Sequence, residues 1–318
     1  MTPIDDQHDE LRELLTDAVS DVEPAYRLGE IRARVHRPAR RGWYAAGGAI
    51  LAAAAVVTAV NLGESDDVRR DNAPPAADVE RTAALYFVGD TPAGPRLYRE
   101  FQKVTGGPIA DLEAITRENG PVDPDYSTLW PAGLFTSVTV RDDAIEVGLG
   151  EWTGPEYDID QDYVHALLQA VVYTAQAATG ESLPVQLTEN GEPAGDPFGV
   201  VPGTGPIERD PQNDILALVN ISDPVEGAIV TGDSFVARGR ANSFEGTVPW
   251  QIRTEQGVVQ EGSTTAEGTG DRLYPWETEI DISDLDPGHY TFVAKTDDPT
   301  GGTEGFGPFT DTRTIIVE

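Results

Sequence analysis

Cysteine is absent from this chain of 318 residues. That excludes disulfides, thiolate metal sites, cysteine nucleophiles and a lipid-modified N-terminal cysteine. Lysine is nearly absent as well, occurring only at Lys103 and Lys295, so arginine carries almost all the positive charge. Histidine is confined to His8, His36, His165 and His289. Basic residues number 22 against 55 acids, for a formal net charge of −33. Nucleic-acid affinity comes mainly from Lys and Arg neutralising phosphates, so DNA and RNA are excluded as partners. Hydrophobic residues make up 39%, enough to bury real cores, and the length fits two ordinary domains plus tails. Without disulfides, those domains must hold together by packing alone.

One long run lacks charge. Trp43 to Leu62 reads WYAAGGAILAAAAVVTAVNL. As a helix rising ~1.5 Å per residue it would extend roughly 30 Å, the thickness of a bilayer core. Trp43 and Tyr44 stand where an interfacial aromatic anchor belongs. Arg32, Arg34, Arg37, Arg40 and Arg41 precede the run; Glu64, Asp66 and Asp67 follow it. The positive-inside rule then places the N-terminus in the cytoplasm and the remainder outside the cell membrane. A buried Ala-rich helix would not need the one-sided arginines. A cleaved signal peptide ending near Val57-Thr58-Ala59 fits poorly with the long preceding segment and its nine acids. The expectation is an uncleaved, single-pass anchor. Gly47 and Gly48 would let two such helices approach closely, although low hydrophobicity suited to export would look the same.

The segment 1–42 reads as a cytoplasmic tail with an amphipathic helix, its stripe formed by Leu11, Leu14, Leu15, Ala18, Val19 and Val22. Glu23-Pro24 interrupts it, and Leu28, Ile31 and Val35 make a second short stripe. A docking helix for a cytoplasmic partner and a surface-associated tail both fit. Residues 63–79 are acidic and Pro-containing, a solvated linker. Residues 201–213 (VPGTGPIERDPQN) form a second linker between a domain at 80–200 and another at 214–318.

The domain at 80–200 mixes strand and helix signals. Arg81 to Val88 and Arg96 to Val104 read as strands, and Pro108 opens a short helix through Leu112 and Ile115. Thr136 to Val140 and Ala144 to Leu149 flank a hairpin turn at Arg141-Asp142-Asp143. From Asp160 to Ala178, Val164, Leu167, Leu168, Val171, Val172 and Ala175 set one apolar face of a long helix, stopped by Gly180. Pro184 to Thr188 is a last strand, turned by Asn190-Gly191. The final stretch is all strand and turn: Ile215 to Val219, Phe235 to Arg238, Thr247 to Arg253, Thr278 to Ile282, Tyr290 to Ala294 and Thr314 to Val317. Such spacing predicts a β-sandwich with Trp250 and Trp276 as packing anchors. Asp286-Pro287-Gly288-His289-Tyr290 has the form of a tyrosine corner, in which a Tyr hydroxyl bonds back to nearby backbone.

From about Ala83 to Gly199 the chain resembles the GerMN domain of bacterial sporulation and germination-type proteins. The matching segments are LYFVGD, DPDYSTLWPAG before TSVTVRDDAIEV, the helix QAVVYTAQAATG, and LPVQLTENGEPA. The following stretch resembles the immunoglobulin-like domain that commonly succeeds GerMN in actinobacteria, through ISDPVEGAIVTGDSFVARGRANSFEGTVPWQI and DLDPGHYTFVA. Together these resemblances cover about two thirds of the chain. They imply an α+β, ring-building-motif-like domain followed by an immunoglobulin-like sandwich, of a type used in envelope assemblies. The family carries no agreed catalytic residues to transfer.

Individual residues offer no active site. His165 lies inside the long helix, one turn after Asp162, with no second His or Cys to complete a metal set. Asp158, Asp160 and Asp162 have the spacing that opens a calcium loop, but Tyr163 stands where glycine is needed and Gln169 where the closing Glu belongs. Capping of the helix N-terminus explains the three acids better. Ser234, in Gly232-Asp233-Ser234, lacks a G-x-S-x-G setting. Paired acids for glycoside hydrolysis are too abundant in so acidic a chain to single out. No catalytic, cofactor-binding or metal residue is therefore assigned, and no cofactor is expected.

The expectation is a non-catalytic, membrane-anchored envelope protein whose outer domains bind envelope proteins or self-associate. A cell-wall glycan binder or hydrolase acting on peptidoglycan is the alternative, prompted by Tyr126, Trp130 and Trp152 as exposed-looking aromatics, with core or loop packing the favoured reading of Tyr126 and Trp130. A further alternative is a tail that sequesters a cytoplasmic regulator.

Overall fold

The computed structural model describes residues 79–152, 154, 158–200, 203–300, 303 and 305–318. The predicted tail, the predicted membrane span and nearly all of the acidic linker after it lie outside the described residues. Among the described residues no helix is long and apolar enough to cross a membrane.

The first domain begins with a ribbon. β1 (Glu80–Thr91) and β2 (Gly94–Thr105) pair antiparallel along their whole lengths, and β3 (Tyr126–Ser127) adds to β1 at Val88 and Gly89. Strict alternation gives way to continuous burial from Leu85 to Gly89, so this stretch is covered on both faces. α1 (Pro108–Ala114) follows, with Pro at its start, where the missing N–H costs nothing.

β4 (Phe135–Val140) and β5 (Ile145–Leu149) form the expected hairpin. β5 continues through α2 (Gln161–Thr179) into β6 (Val185–Glu189), which runs parallel to β5; this is the βαβ unit a parallel pair needs. β7 (Glu192–Pro193) closes the sheet β4-β5-β6-β7 after a tight turn with Asn190 at φ 52° and Gly191 at φ 83°. Asp160 caps α2, accepting from the Asp162 and Tyr163 N–H groups, and Gly180 ends it at φ 75°.

The apolar face of α2 proves wider than one stripe. Val164 is buried, and so is every residue from Ala166 to Gln176. The face opposite the sheets is polar in sequence, yet the chain segment 207–211 crosses it. Gln169 donates to Glu208 O (2.8 Å) and accepts from Asp210 N (3.1 Å); Tyr173 donates its hydroxyl to Asp210 O (2.8 Å). Arg209 lies over the Tyr173 ring, 3.8 Å from its centroid, and bonds Gln176 Oε1 at 3.0 Å. An antiparallel bridge between Val185 and Ile207 ties the same segment to β6.

The second domain begins with a single helical turn, α3 (Gln212–Ile215), followed by β8 (Val219–Asp223). Ile215 to Val219, expected as strand, therefore straddles a turn and the residues leading into β8. Pro211 in extended backbone sets the turn up, and the burial of Ile215 holds it. β9 (Ala228–Val230), β10 (Ser234–Ala241), β11 (Thr247–Thr254), β12 (Gly257–Thr265), β13 (Tyr274–Asp281), β14 (Gly288–Lys295) and β15 (Thr310–Val317) complete a sandwich. One sheet has the order β13-β10-β8, the other β12-β11-β14-β15-β9, with β9 parallel to β15. β12 was not expected. It is an edge strand rich in Gly, Gln, Glu, Ser and Thr, so the usual apolar alternation is missing.

Both tryptophans of this core sit on glycines. Trp250 pairs across the strands with Gly262, and Trp276 with Gly239. A Cβ on Gly239 would lie 1.9 Å from Asn220 O and 2.7 Å from the Trp276 ring, so only glycine fits beneath that indole. The tyrosine corner forms as expected, the Tyr290 hydroxyl donating to Asp286 O at 2.7 Å.

Candidate functional site

The domain junction is built from both domains at once. Leu97 of β2 forms a parallel bridge with Leu216, and Ala217 N donates to Leu97 O at 2.9 Å. The start of the second domain thus continues the first domain's sheet. Tyr98, also on β2, stacks on Tyr126 with centroids 4.7 Å apart and donates its hydroxyl to Thr310 O at 2.9 Å. Asp125 accepts from the Thr312 hydroxyl at 2.5 Å.

At the centre of this junction is a buried ion cluster. Arg313 of β15 donates from Nη1 to Asp123 Oδ2 (2.5 Å) and Asp311 Oδ1 (2.9 Å), and from Nη2 to Ile221 O (2.8 Å). The Tyr126 hydroxyl donates to Asp311 at 2.6 Å, and Asp311 also accepts from Ile221 N at 2.5 Å. The three charged side chains are 1–3% exposed. Buried Glu100 positions Asp123 by accepting from the backbone N–H groups of Val122 (3.1 Å) and Asp123 (2.8 Å). Two carboxylates thus share one guanidinium. Burial pushes Asp123 up to about 7, against the pull of Arg313. Burial also raises Asp311 and Tyr126. For Arg313, burial works downward, but the Asp311, Tyr126 and Asp123 charges outweigh it and hold the group above its ordinary value.

A second feature lies at one end of the sandwich. The loop from β10 to β11 turns through Glu245 (φ 52°) and Gly246 (φ 74°), and the long β14–β15 loop faces it. Between them is a cavity of about 220 Å³ lined by Phe244, Phe306, Phe309, Ser243, Asp297 and Asp298, among others. Its lining holds no Lys, Arg or His. Phe244 is 53% and Phe306 70% exposed, which is unusual for rings of this size. The walls are fixed: Asp297 N donates to Ser243 Oγ at 2.7 Å, and Phe309 N to Thr296 Oγ1 at 3.0 Å. Asn242 braces the first loop, accepting from Gly270 N at 3.0 Å and donating to Gly270 O at 2.8 Å. Rings beside carboxylates, with no basic side chain among the described lining residues, make a seat for a cation with an apolar stem.

The residues singled out from sequence fall elsewhere. His165 bonds Asp210 Oδ2 at 2.6 Å and helps strap the connector onto α2. Asp160 is a helix cap, and no group of three or more His, Asp or Glu is arranged to hold a metal among the described residues. The Ser234 hydroxyl donates to Glu279 at 2.7 Å across the β10–β13 pair. His289 pairs with Ile316 in the sheet. Tyr126 and Trp130, for which core or loop packing was the favoured reading, are buried, 6% and 1% exposed; Trp130 packs against Phe135, Trp152 and Phe198. Phe244, Phe306, Asp297 and Arg313 were not singled out. A lone Phe in a polar loop was the available signal for the first two, and it needs the facing loop to mean anything.

Residues 218–303 match Gmad2, the immunoglobulin-like domain of bacterial spore germination. No curated protein matches the chain. Among solved structures, the tandem GerMN domains of the sporulation protein GerM from Bacillus subtilis align at 17% identity and a TM-score of 0.30, covering 65% of this chain and 64% of that one. An engineered protein aligns at 18% identity and a TM-score of 0.27, over 66% of this chain and 45% of its own. The chain thus spans less than two thirds of either structure, and at these TM-scores neither likeness carries weight.

Proposed function

We propose that this chain is a non-catalytic, membrane-anchored envelope protein whose outer domains bind a protein partner, in a sporulation- or germination-like process. The family match over 218–303 and the resemblance of Ala83–Gly199 to GerMN support the process. The anchor rests on the uncharged run 43–62 and its one-sided arginines. The observation that carries partner binding is the cavity at the loop end, where Phe244 and Phe306 stand exposed beside Asp297 and Asp298 without a basic neighbour in the lining. Its occupant is a Lys or Arg side chain of the partner, seated between the rings with its charge against the carboxylates.

The glycan alternative is the weaker reading, because Tyr126 and Trp130 are core residues with no face for a sugar, which leaves half-buried Trp152 alone of the three aromatics. The tail alternative concerns residues outside those described.

Site-directed photo-crosslinking in intact cells tests this reading. A crosslinker at position 244 or 306 should give one discrete envelope-protein adduct, lost on Asp297→Asn. The same crosslinker at Val258, on the polar edge strand β12, should give none. Equal labelling at all three positions, or adducts indifferent to Asp297, would sink the assignment.

A further inference from the structure

The chain carries more than twice as many acids as bases, yet three arginines converge on a cavity with no carboxylate among its described lining residues. A cavity of about 50 Å³ at the domain junction is lined by Arg99 of β2, Arg209 of the connector and Arg240 of β10, with Tyr86, Asn220 and Gln212 beside them. Among the described residues no Asp or Glu contributes to its lining. Among the described residues, none of the three arginines forms a salt bridge, whereas Arg81, Arg141, Arg238 and Arg313 all do.

The Arg99 and Arg209 guanidinia are held in place by neutral groups. Arg99 sits opposite Tyr86 in the β1–β2 register and donates from Nη2 to Ser222 Oγ at 3.1 Å; its Nε is buried with no partner. Arg209 is fixed over the Tyr173 ring and by Gln176. Arg240 is on the exposed side of β10, beside β8. Burial pulls the Arg99 guanidinium below its ordinary value, the neighbouring Arg240 charge adds to this, and Tyr86 is the sole opposing group. A desolvated cation with an orphaned donor and a like-charged neighbour is costly unless an anion answers it.

We propose that this junction cavity is a binding site for a small oxyanion, a carboxylate or a tetrahedral anion such as phosphate, held by Arg99, Arg209 and Arg240. The volume suits it. A cavity holds one water in roughly 10–15 Å³ of such space, so there is room here for a small group of a few heavy atoms such as a carboxylate or a tetrahedral anion. Guanidinium forks match both groups with paired, charge-assisted hydrogen bonds. Because the three arginines come from the first domain, the connector and the second domain, the bound anion joins all three and stiffens the junction.

Titration of the full-length protein with inorganic phosphate, sulfate and acetate tests this, each against chloride at matched ionic strength, by calorimetry and thermal unfolding. A saturable heat and a rise in unfolding temperature with at least one of the three anions are expected. Arg240→Gln, an exposed position that the fold tolerates, should weaken that binding about 10-fold or more, the loss of one charge-assisted contact. Arg253→Gln on β11 should leave it unchanged. A preference for phosphate or sulfate would identify a free tetrahedral anion, and a preference for acetate a carboxylate-bearing ligand. No saturable response beyond chloride, or equal affinity in Arg240→Gln and the parent chain, would overturn the proposal.

Discussion

Arg313 and Asp123 stand 190 residues apart in the chain and 2.5 Å apart in space, one in each domain and both buried. This pair, with Asp311 and Tyr126, turns what reads in sequence as two domains on a linker into a single jointed unit. A buried ion pair is weak evidence for stability by itself, since desolvating two charges offsets most of their attraction. It favours one docking over others, because any arrangement that separates Arg313 from Asp123 would leave those charges unpaired.

Removing the cation should therefore be far worse than removing the cluster. Arg313→Met leaves Asp123 and Asp311 buried without a counter-cation, and should cost about 3–5 kcal/mol in chemical unfolding. The triple change Arg313→Met, Asp123→Asn, Asp311→Asn should recover a good part of that loss. A triple variant no better than the single one would contradict this account.

The cluster should also give stability a pH dependence of known sign. Burial raises Asp123 to about 7 from an ordinary 3.8, so the folded state holds a proton that the unfolded chain releases. That contribution is complete below the unfolded value and is lost as pH rises through about 7. The many surface acids add their own repulsion, so the telling quantity is a difference. The fall in denaturation midpoint between roughly pH 5 and 8 should be shallower in Asp123→Asn than in the parent chain.

Glycine beneath tryptophan should tolerate no methyl group. Gly239→Ala drives a Cβ into Asn220 O and the Trp276 ring, and should destabilise the sandwich by about 3 kcal/mol or more. Gly205→Ala, where nothing lies within 4 Å, should shift the thermal midpoint little or not at all. Similar losses at both positions would show that the indole repacks freely.

The connector should loosen before the domains do. Tyr173→Phe removes the hydroxyl bond to Asp210 O, at a cost of about 1 kcal/mol. Hydrogen exchange should quicken at residues 207–211 and leave β10 and β14 unaffected. Uniform acceleration across the second domain would mean that the strap and the sandwich open together.

Several elements were legible because local chemistry decides them. Pro108 starts α1, Asp160 caps α2, Gly180 ends it, Asn190-Gly191 turns β6 into β7, and the Tyr290 corner closes on Asp286. Each depends on residues within a few positions of one another. β12 was illegible because an edge strand buries too little to need apolar alternation, and α3 because one turn has no period to detect. The segment DPDYSTLWPAG stood out as a family resemblance, and it supplies Asp123, Asp125 and Tyr126 to the junction. Its role could not be read locally, since Arg313, Asp311 and Thr312 lie at the far end of the chain.

Sequence alone determined the charge balance, the absence of disulfides, the succession of an α+β domain and an immunoglobulin-like sandwich, and most helix and turn boundaries. Tertiary structure decided which charges are paired. It set Arg313 between two carboxylates, left Arg99, Arg209 and Arg240 facing a cavity without one, and brought Phe244 and Phe306 around a common hollow. The physical reason is range. Capping, turn formation and periodicity act within a few residues of the chain, whereas the solvation of a charge or a ring depends on whatever folding brings beside it from any distance along the sequence.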